Sequence, residues 1–275
     1  MISGSTRIAA VIGWPVEHSR SPQMLNAAFA AANVDAVMVP ISTPPERFAQ
    51  VIAGLRAMNA LGASVTVPHK LAAVALCDQL TPAARDIGAV NCLHFDAGRL
   101  VGHNTDARGF VDGLVAAGFT KTDARITLLG AGGAARAVAY GLRDRGVVDV
   151  IARLPAAVTW TRAIEWTEDH LRTAFAAADL VVDCTPAGLS TDDDRALVDT
   201  LPIDELRPQA WVSTLIYHRS TSLLERAKER GHSTLDGRAM LVHQGAAAFA
   251  IWTASPTSGV VDAMTRALDD ALRGT

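Results

Sequence analysis

In Ser64–Lys70, SVTVPHK, alternating apolar residues run into a proline, a histidine and a lysine. The alternation predicts a strand with one face in the core, its last side chains emerging at a sheet edge where ligands often bind. Lys70 is then either a chemical tool or a solvated strand end. A second signal is ITLLGAGGAARAV, which sets Gly130, Gly132 and Ala135 in a GxGxxG/A pattern after an apolar strand and at the opening of a helix. That pattern gives a tight turn at Gly130, close backbone approach to a pyrophosphate at Gly132 and helix-to-strand packing at Ala135. The helix N-terminus adds free N–H groups and a positive dipole end. A glycine-rich chain reversal with no ligand is the plainer alternative.

At the end of the next strand, where Asp or Glu would suit the ribose hydroxyls of NAD, stand Ala152 and Arg153. An arginine there suits a 2′-phosphate, which favours NADP while leaving NAD possible, and a surface arginine is the alternative. In GWPVEHSRSPQML, Ser21 before Pro22 reads as an N-cap with proline at N1. Ser19 and Ser21 also place two hydroxyls at a helix start, where a substrate carboxylate would be welcome. Asn91, Thr105 and Asp106 lie beside apolar strands and can hydrogen-bond a polyol, or simply form turns. Met240 and Gln244 are one helical turn apart, so Gln244 can face a cleft or solvent.

With 275 residues the chain is long for one core and comfortable for two domains. Apolar residues at 49% and charged residues at 19% exclude a disordered chain. A net charge of −3 without basic runs argues against nucleic acid, leaving a small molecule as the expected partner. Cys77, Cys92 and Cys184 are odd in number and scattered, which points to a reduced, cytoplasmic protein, and the histidines lack metal-ligand spacing, so no metal is expected. Neither a signal peptide nor a membrane span is read, and the expected state is monomer or homodimer.

Strands are predicted over 8–13, 36–41 and 63–68, with helices over 21–34 and 44–59, an α/β pattern. A second series has strands over 125–130, 148–153, 179–184 and 210–216 and a helix over 133–146, which reads as a doubly wound sheet. A helix over 239–254 follows and is expected to pack across the interdomain boundary. The expected fold class is therefore α/β, an N-terminal α/β substrate domain plus a Rossmann doubly wound dinucleotide-binding domain. The boundaries are 1–105, completed by helices over 238–275, and 106–237.

In this order, GWPVEHSRSP, GASVTVPHK, GAVNCLHF, GHNTDARGF, GAGGAARAV, DCTPAGLS, LIYHRSTSLL and DGRAMLVHQGAAAF resemble the shikimate/quinate dehydrogenase family. The resemblance implies a cytoplasmic NADP-dependent oxidoreductase of aromatic amino acid (chorismate) biosynthesis. It gives Lys70 and Asp106 as the catalytic pair, Ser19 and Ser21 on the substrate carboxylate, and Ser64, Thr66, Asn91, Thr105, Asp106 and Gln244 around the ring, with Tyr217 nearby. On the cofactor side it implies Gly130, Ala131, Gly132, Gly133, Ala134, Arg153, Thr185, Pro186, Gly237 and Met240. Departures are Ser64 where asparagine is usual, Cys92 where threonine is usual, IARL for the usual NRT segment, and a shorter turn in IYHRSTSLL lacking the acid before the tyrosine. Two alternatives follow: a dehydrogenase of quinate or another shikimate analogue, and a catalytically silent nucleotide-binding regulator.

Overall fold

The structure, a computed structural model, describes residues 2–274. The chain forms two compact units, Met1–Gly109 with Val242–Thr275, and Phe110–Leu241.

In the first unit, strands β1 (Arg7–Gly13), β2 (Ala36–Ser42), β3 (Gly62–Val65), β4 (Gln79–Leu80), β5 (Cys92–Asp96) and β6 (Arg99–His103) form one sheet in the order β2-β1-β3-β5-β6-β4. β1 pairs in parallel with β2 and β3, whereas β3, β5 and β6 are antiparallel neighbours. The β5–β6 hairpin turns on Ala97 and Gly98, both at positive φ, the two-residue geometry that matches strand twist. Helices α1 (Ser21–Ala31), α2 (Phe48–Ala57) and α3 (Pro82–Ile87) complete this stretch. Phe48, Ile52 and Leu55 of α2 pack with Val65 and Leu93 in the core.

Helix α4 (Asp106–Ala116) leads into the second unit. There β7 (Ala124–Leu129), α5 (Gly133–Leu142), β8 (Gly146–Ala152), β9 (Ala163–Glu165), α6 (Glu168–Ala177), β10 (Leu180–Asp183), α7 (Thr191–Val198), β11 (Trp211–Thr214), α8 (Ser222–Glu229) and β12 (Ser233–Leu235) follow. All strand pairs are parallel, in the order β12-β11-β10-β7-β8-β9. The chain therefore winds outward in both directions from β7, and β7 and β10 flank the switch point where such sheets take ligands. Apolar clusters cover both faces, one around Val181, Phe175 and Leu223 and one around Val182, Leu128 and Phe110. Helices α9 (Gly237–Thr253) and α10 (Val260–Arg273) close the chain. No helix among the described residues is long and apolar enough to cross a membrane.

Three local readings are corrected. β3 ends at Val65, and Lys70 lies five residues on, in a turn before a 3₁₀ segment, Ala72–Leu76. Its four residues are all buried, because Ala63 and Val65 pack with α2 and Trp252 lies against Gly62, so that the strand is covered on both faces rather than one. Arg20 rather than Ser21 is the N-cap residue of α1, and it makes no side-chain cap. Ser19 Oγ accepts the Ser21 N–H at 3.3 Å, and the helix starts one residue earlier than read, with Pro22 at the second helical position. Finally, α5 stops at Leu142 and β8 already begins at Gly146, whose φ of +154° sits where a Cβ would collide with the Ala124 backbone.

Candidate active site

The turn that carries Lys70 is pinned from several sides. Thr66 N donates to Ile12 O at 2.9 Å and Trp14 N to Val67 O at 3.0 Å, and Gly13 lacks the Cβ that would stand 2.5 Å from Thr66 Cγ2. The buried ring of His69 stacks on Phe48 with centroids 4.3 Å apart, its Nε2 2.7 Å from Thr43 O. Val90 N donates to Lys70 O at 2.9 Å, tying the lysine backbone to the segment that carries Asn91.

From this turn Lys70 Nζ donates to Asp106 Oδ2 at 2.7 Å. The lysine side chain is 25% exposed and the carboxylate 8%, so the pair is held by protein with one end open. Asp106 is the first residue of α4, and Asn104 fixes it there: Asn104 Oδ1 accepts from Asp106 N (3.1 Å) and Ala107 N (3.4 Å) while its amide donates to Ala89 O (3.0 Å). Asn91, just before β5, donates from Nδ2 to Asp106 Oδ1 (2.8 Å), Thr105 Oγ1 (2.9 Å) and, at the longest reach, Gln244 Oε1 (3.4 Å). Its Oδ1 accepts the Thr105 N–H at 2.7 Å. Gln244 reaches the cluster because α4 and α9 meet at Gly109, where a Cβ would stand 2.5 Å from Gln244 N.

Lys70, Asn91, Thr105, Asp106 and Gln244 thus form one hydrogen-bonded cluster. Chemically it offers an ammonium and a carboxylate in direct contact, able to hold and pass a proton, beside amide and hydroxyl groups suited to a polyol. Ser64 is buried in β3 beside Cys92, its register partner, and Thr66 follows the end of that strand. Ser19 is half-buried after β1 and Ser21 is buried at the start of α1. Sequence reading missed His69, Asn104 and Gly109. Of these only Asn104 left a local signal, the Asn-x-Asp spacing of a side chain that accepts from the backbone two residues on.

In the second unit, Gly130 at φ +92° turns the chain after β7, its N–H donating to Ile151 O at 2.8 Å. Gly132 caps α5 without a side-chain bond and no acidic residue sits in the first turn, so the helix start offers free N–H groups to an anion. Nothing lies within 4 Å of where a Cβ would stand on Gly132 or Gly133, while Ala135 is fully buried. Trp160 Nε1 donates to Ala131 O at 3.3 Å, a further contact on this loop, and Ala134 is half-buried on α5. Arg153 is exposed one residue past β8, its guanidinium 5.8 Å from the centroid of Trp166. Thr185 donates its N–H to Asp183 Oδ1 at 2.8 Å and touches Gly130 across the switch point, and Pro186 beside it is exposed. Gly237 has a steric reason of its own, since a Cβ there would collide with Leu215 O. Met240 packs into the cluster around Val182, and Tyr217 lies in the turn after β11 with its ring against His218.

A cavity of about 760 Å³ is at the opposite, amino-terminal ends of these strands, lined by Phe119, Lys121, Asp179, Arg207 and Trp211. Asp179 already engages Lys121 and Arg207 there, and none of the groups named above lines it. Burial pushes the Cys77 thiol up to about 11 and also raises Cys92 and Cys184, so none is a ready nucleophile. Among the described residues no three His, Cys, Asp or Glu side chains gather to hold a metal.

Comparison with known proteins gives the family of the chain. The family model for the shikimate dehydrogenase substrate binding domain matches residues 11–93. The shikimate dehydrogenase (NADP(+)) of Desulforamulus reducens is 41% identical to the chain, covering 92% of it and 91% of that protein. The chain belongs to the shikimate dehydrogenase family. Members of this family are oxidoreductases acting on a CH–OH group. A crystal structure of shikimate dehydrogenase in complex with NADP+ superposes with a TM-score of 0.88 at 32% identity, covering 99% of this chain and 98% of that one. Shikimate 5-dehydrogenase from Listeria monocytogenes, in complex with shikimate and NAD, gives a TM-score of 0.86 at 33% identity, with 96% and 97% covered.

Proposed function

We propose that this protein is an NADP-dependent shikimate dehydrogenase that interconverts 3-dehydroshikimate and shikimate, with Lys70 and Asp106 as its catalytic pair. The observation that carries the reading is the 2.7 Å contact between Lys70 Nζ and Asp106 Oδ2 inside the Asn91–Thr105–Gln244 cluster. Bound NADP supplies the hydride acceptor or donor. The residues present fit it: an uncapped helix N-terminus behind the open Gly132–Gly133 backbone suits the pyrophosphate, and exposed Arg153 suits a 2′-phosphate.

The proton is the protein's task. Lys70 as the neutral amine takes the hydroxyl proton as the alcohol is oxidised, becoming the ammonium, and as the ammonium gives a proton to the oxygen when the ketone is reduced. Asp106 orients the ammonium and accepts from a neighbouring ring hydroxyl, as Asn91, Thr105, Gln244, Ser64 and Thr66 hold the remaining hydroxyls. Ser19 and Ser21 receive the substrate carboxylate, and Tyr217 belongs to the same substrate set. Gly130–Ala134, Arg153, Thr185, Pro186, Gly237 and Met240 serve the cofactor. The protein works in the cytoplasm, as a monomer or homodimer.

A second reading rests on Ser64. It is short and buried where the motif otherwise carries asparagine, so a ring hydroxyl that an asparagine would contact lacks that partner, and an analogue such as quinate is the alternative substrate. The experiment is the initial rate of reduced-cofactor formation with shikimate and with quinate, each with NADP and with NAD. Highest kcat/KM for shikimate with NADP supports the proposal. Preference for quinate moves the substrate, and NADP binding without turnover on either leaves a silent nucleotide-binding protein.

A further inference from the structure

The turn after β11 sends Arg219 back into the loop after β10. Arg219 Nε donates to Gly188 O at 3.0 Å and Nη2 to Ser190 O at 3.0 Å, while Nη1 reaches Ser220 O at 3.3 Å in its own turn. Nη2 also meets Asp194 Oδ2 at 3.2 Å. Asp194, in the first turn of α7, is 1% exposed; its Oδ2 accepts the Ser222 N–H at 2.7 Å and its Oδ1 has no partner. Arg219 is thus the counter-charge on a buried carboxylate and a fork on two backbone carbonyls. The two loops are already in contact at Gly188, where a Cβ would stand 2.6 Å from Ile216 Cγ1.

The clamped segment, 184–190, is the one that carries Thr185 and Pro186 past the end of β10, with Thr185 against Gly130 of the glycine loop. A guanidinium stays charged at every working pH and its planar fork fixes both carbonyls at once, which a lysine cannot reproduce. We propose that Arg219 is a positioning residue for the cofactor: through Gly188 O and Ser190 O it sets the wall of the NADP pocket formed by the loop after β10. This inference rests on the function proposed above. It assigns Arg219 no contact with substrate or cofactor, only control of the backbone that makes them.

The test is R219K, which keeps a cation beside Asp194 and removes the fork. The KM for NADP is expected to rise about tenfold, with kcat at saturating NADP and the KM for shikimate within about twofold of wild type, because about 1.4 kcal/mol of binding is lost per tenfold. A merely structural role instead lowers the thermal midpoint and the active fraction and leaves KM for NADP unchanged, and that result overturns the inference. If R219K does not fold, R219M combined with D194N leaves neither charge unmatched and carries the same expectation. Failure of both to fold makes Arg219 a folding residue and also overturns it. Titration of tryptophan fluorescence with NADP+ separates this claim from the function. A wild type that binds NADP+ but turns over no substrate refutes the proposed activity, whereas equal NADP+ affinity in wild type and R219K refutes the clamp.

Discussion

Lys70 Nζ and Asp106 Oδ2 are 2.7 Å apart although 36 residues separate them in the chain. The contact exists because β3, β5 and β6 are adjacent: the turn after β3 delivers the lysine, and the third residue after β6 starts α4 with the aspartate. Neither residue is held by the other alone. Val90 N fixes the Lys70 backbone and Asn91 occupies the second carboxylate oxygen, so the pair is set before any ligand arrives.

Asp106→Asn keeps the shape of the site and the acceptor for Asn91 but removes the charge that orients the ammonium. Its kcat is expected to fall by at least about 100-fold, in the range that positioned acid–base groups contribute. Affinity for NADP+ should stay within about twofold, since the substitution lies in the first unit and the glycine loop in the second. Steady-state rates and a fluorescence titration check both halves of this expectation.

Asn91→Ala attacks stability as well as activity. It strands the Thr105 N–H and one Asp106 oxygen in a site where Asn91 itself is 3% exposed. Leaving buried polar groups unpaired costs about 1–3 kcal/mol each, so urea unfolding should show a loss of at least about 2 kcal/mol. A loss below about 0.5 kcal/mol would mean that the cluster is solvated and loosely held.

His103 gives the protein an acid-sensitive element. Its Nε2 is buried without a partner, and burial followed by the nearby His94 lowers its pKa from 6.5 to about 4. Below 6.5 the unfolded chain takes up a proton that the folded chain refuses, so stability is full above that pH and is lost as pH falls towards about 4. The lowered aspartates Asp78 and Asp179 act below their ordinary 3.8, whereas Glu17, lowered from 4.5, and Asp183, raised above 3.8 by burial, share the acid end of this window with the histidines. His103→Gln should flatten the thermal midpoint against pH between about 6.5 and 4, and an unchanged slope would exclude His103 as its source.

How much of this the sequence reveals depends on the range of the interaction. The Gly130–Ala135 segment is legible because strand, turn and helix are local, and the turn at Gly130 and the buried Ala135 follow directly. The doubly wound sheet is legible from its apolar strands, although the short β9 and β12 carry too few residues to announce themselves. Ser64 and Val65 mislead: the polar residue between apolar ones imitates a half-exposed strand, yet Ala63 and Val65 pack with α2 while Trp252 of α9 lies against Gly62, so all of β3 is buried. Ser21 reads as a cap because serine before proline usually is one, and only the geometry reveals that Ser19 has taken that N–H. The meeting of Lys70, Asn91, Asp106 and Gln244 depends on sheet order and on Gly109 admitting α9, and no periodicity encodes that. Arg219 is harder still, since its partners are carbonyls that carry no side-chain signature.

The central claim is that Lys70 moves the proton while the rest of the protein binds and orients. The most direct test is the kcat for shikimate oxidation by NADP+ in wild type and Lys70→Met, with NADP+ affinity measured on the same samples. The account predicts readily measured wild-type turnover, a fall of about 100-fold or more in the variant, and unchanged NADP+ affinity. Near-normal turnover by Lys70→Met would contradict it and move the acid–base role to another group.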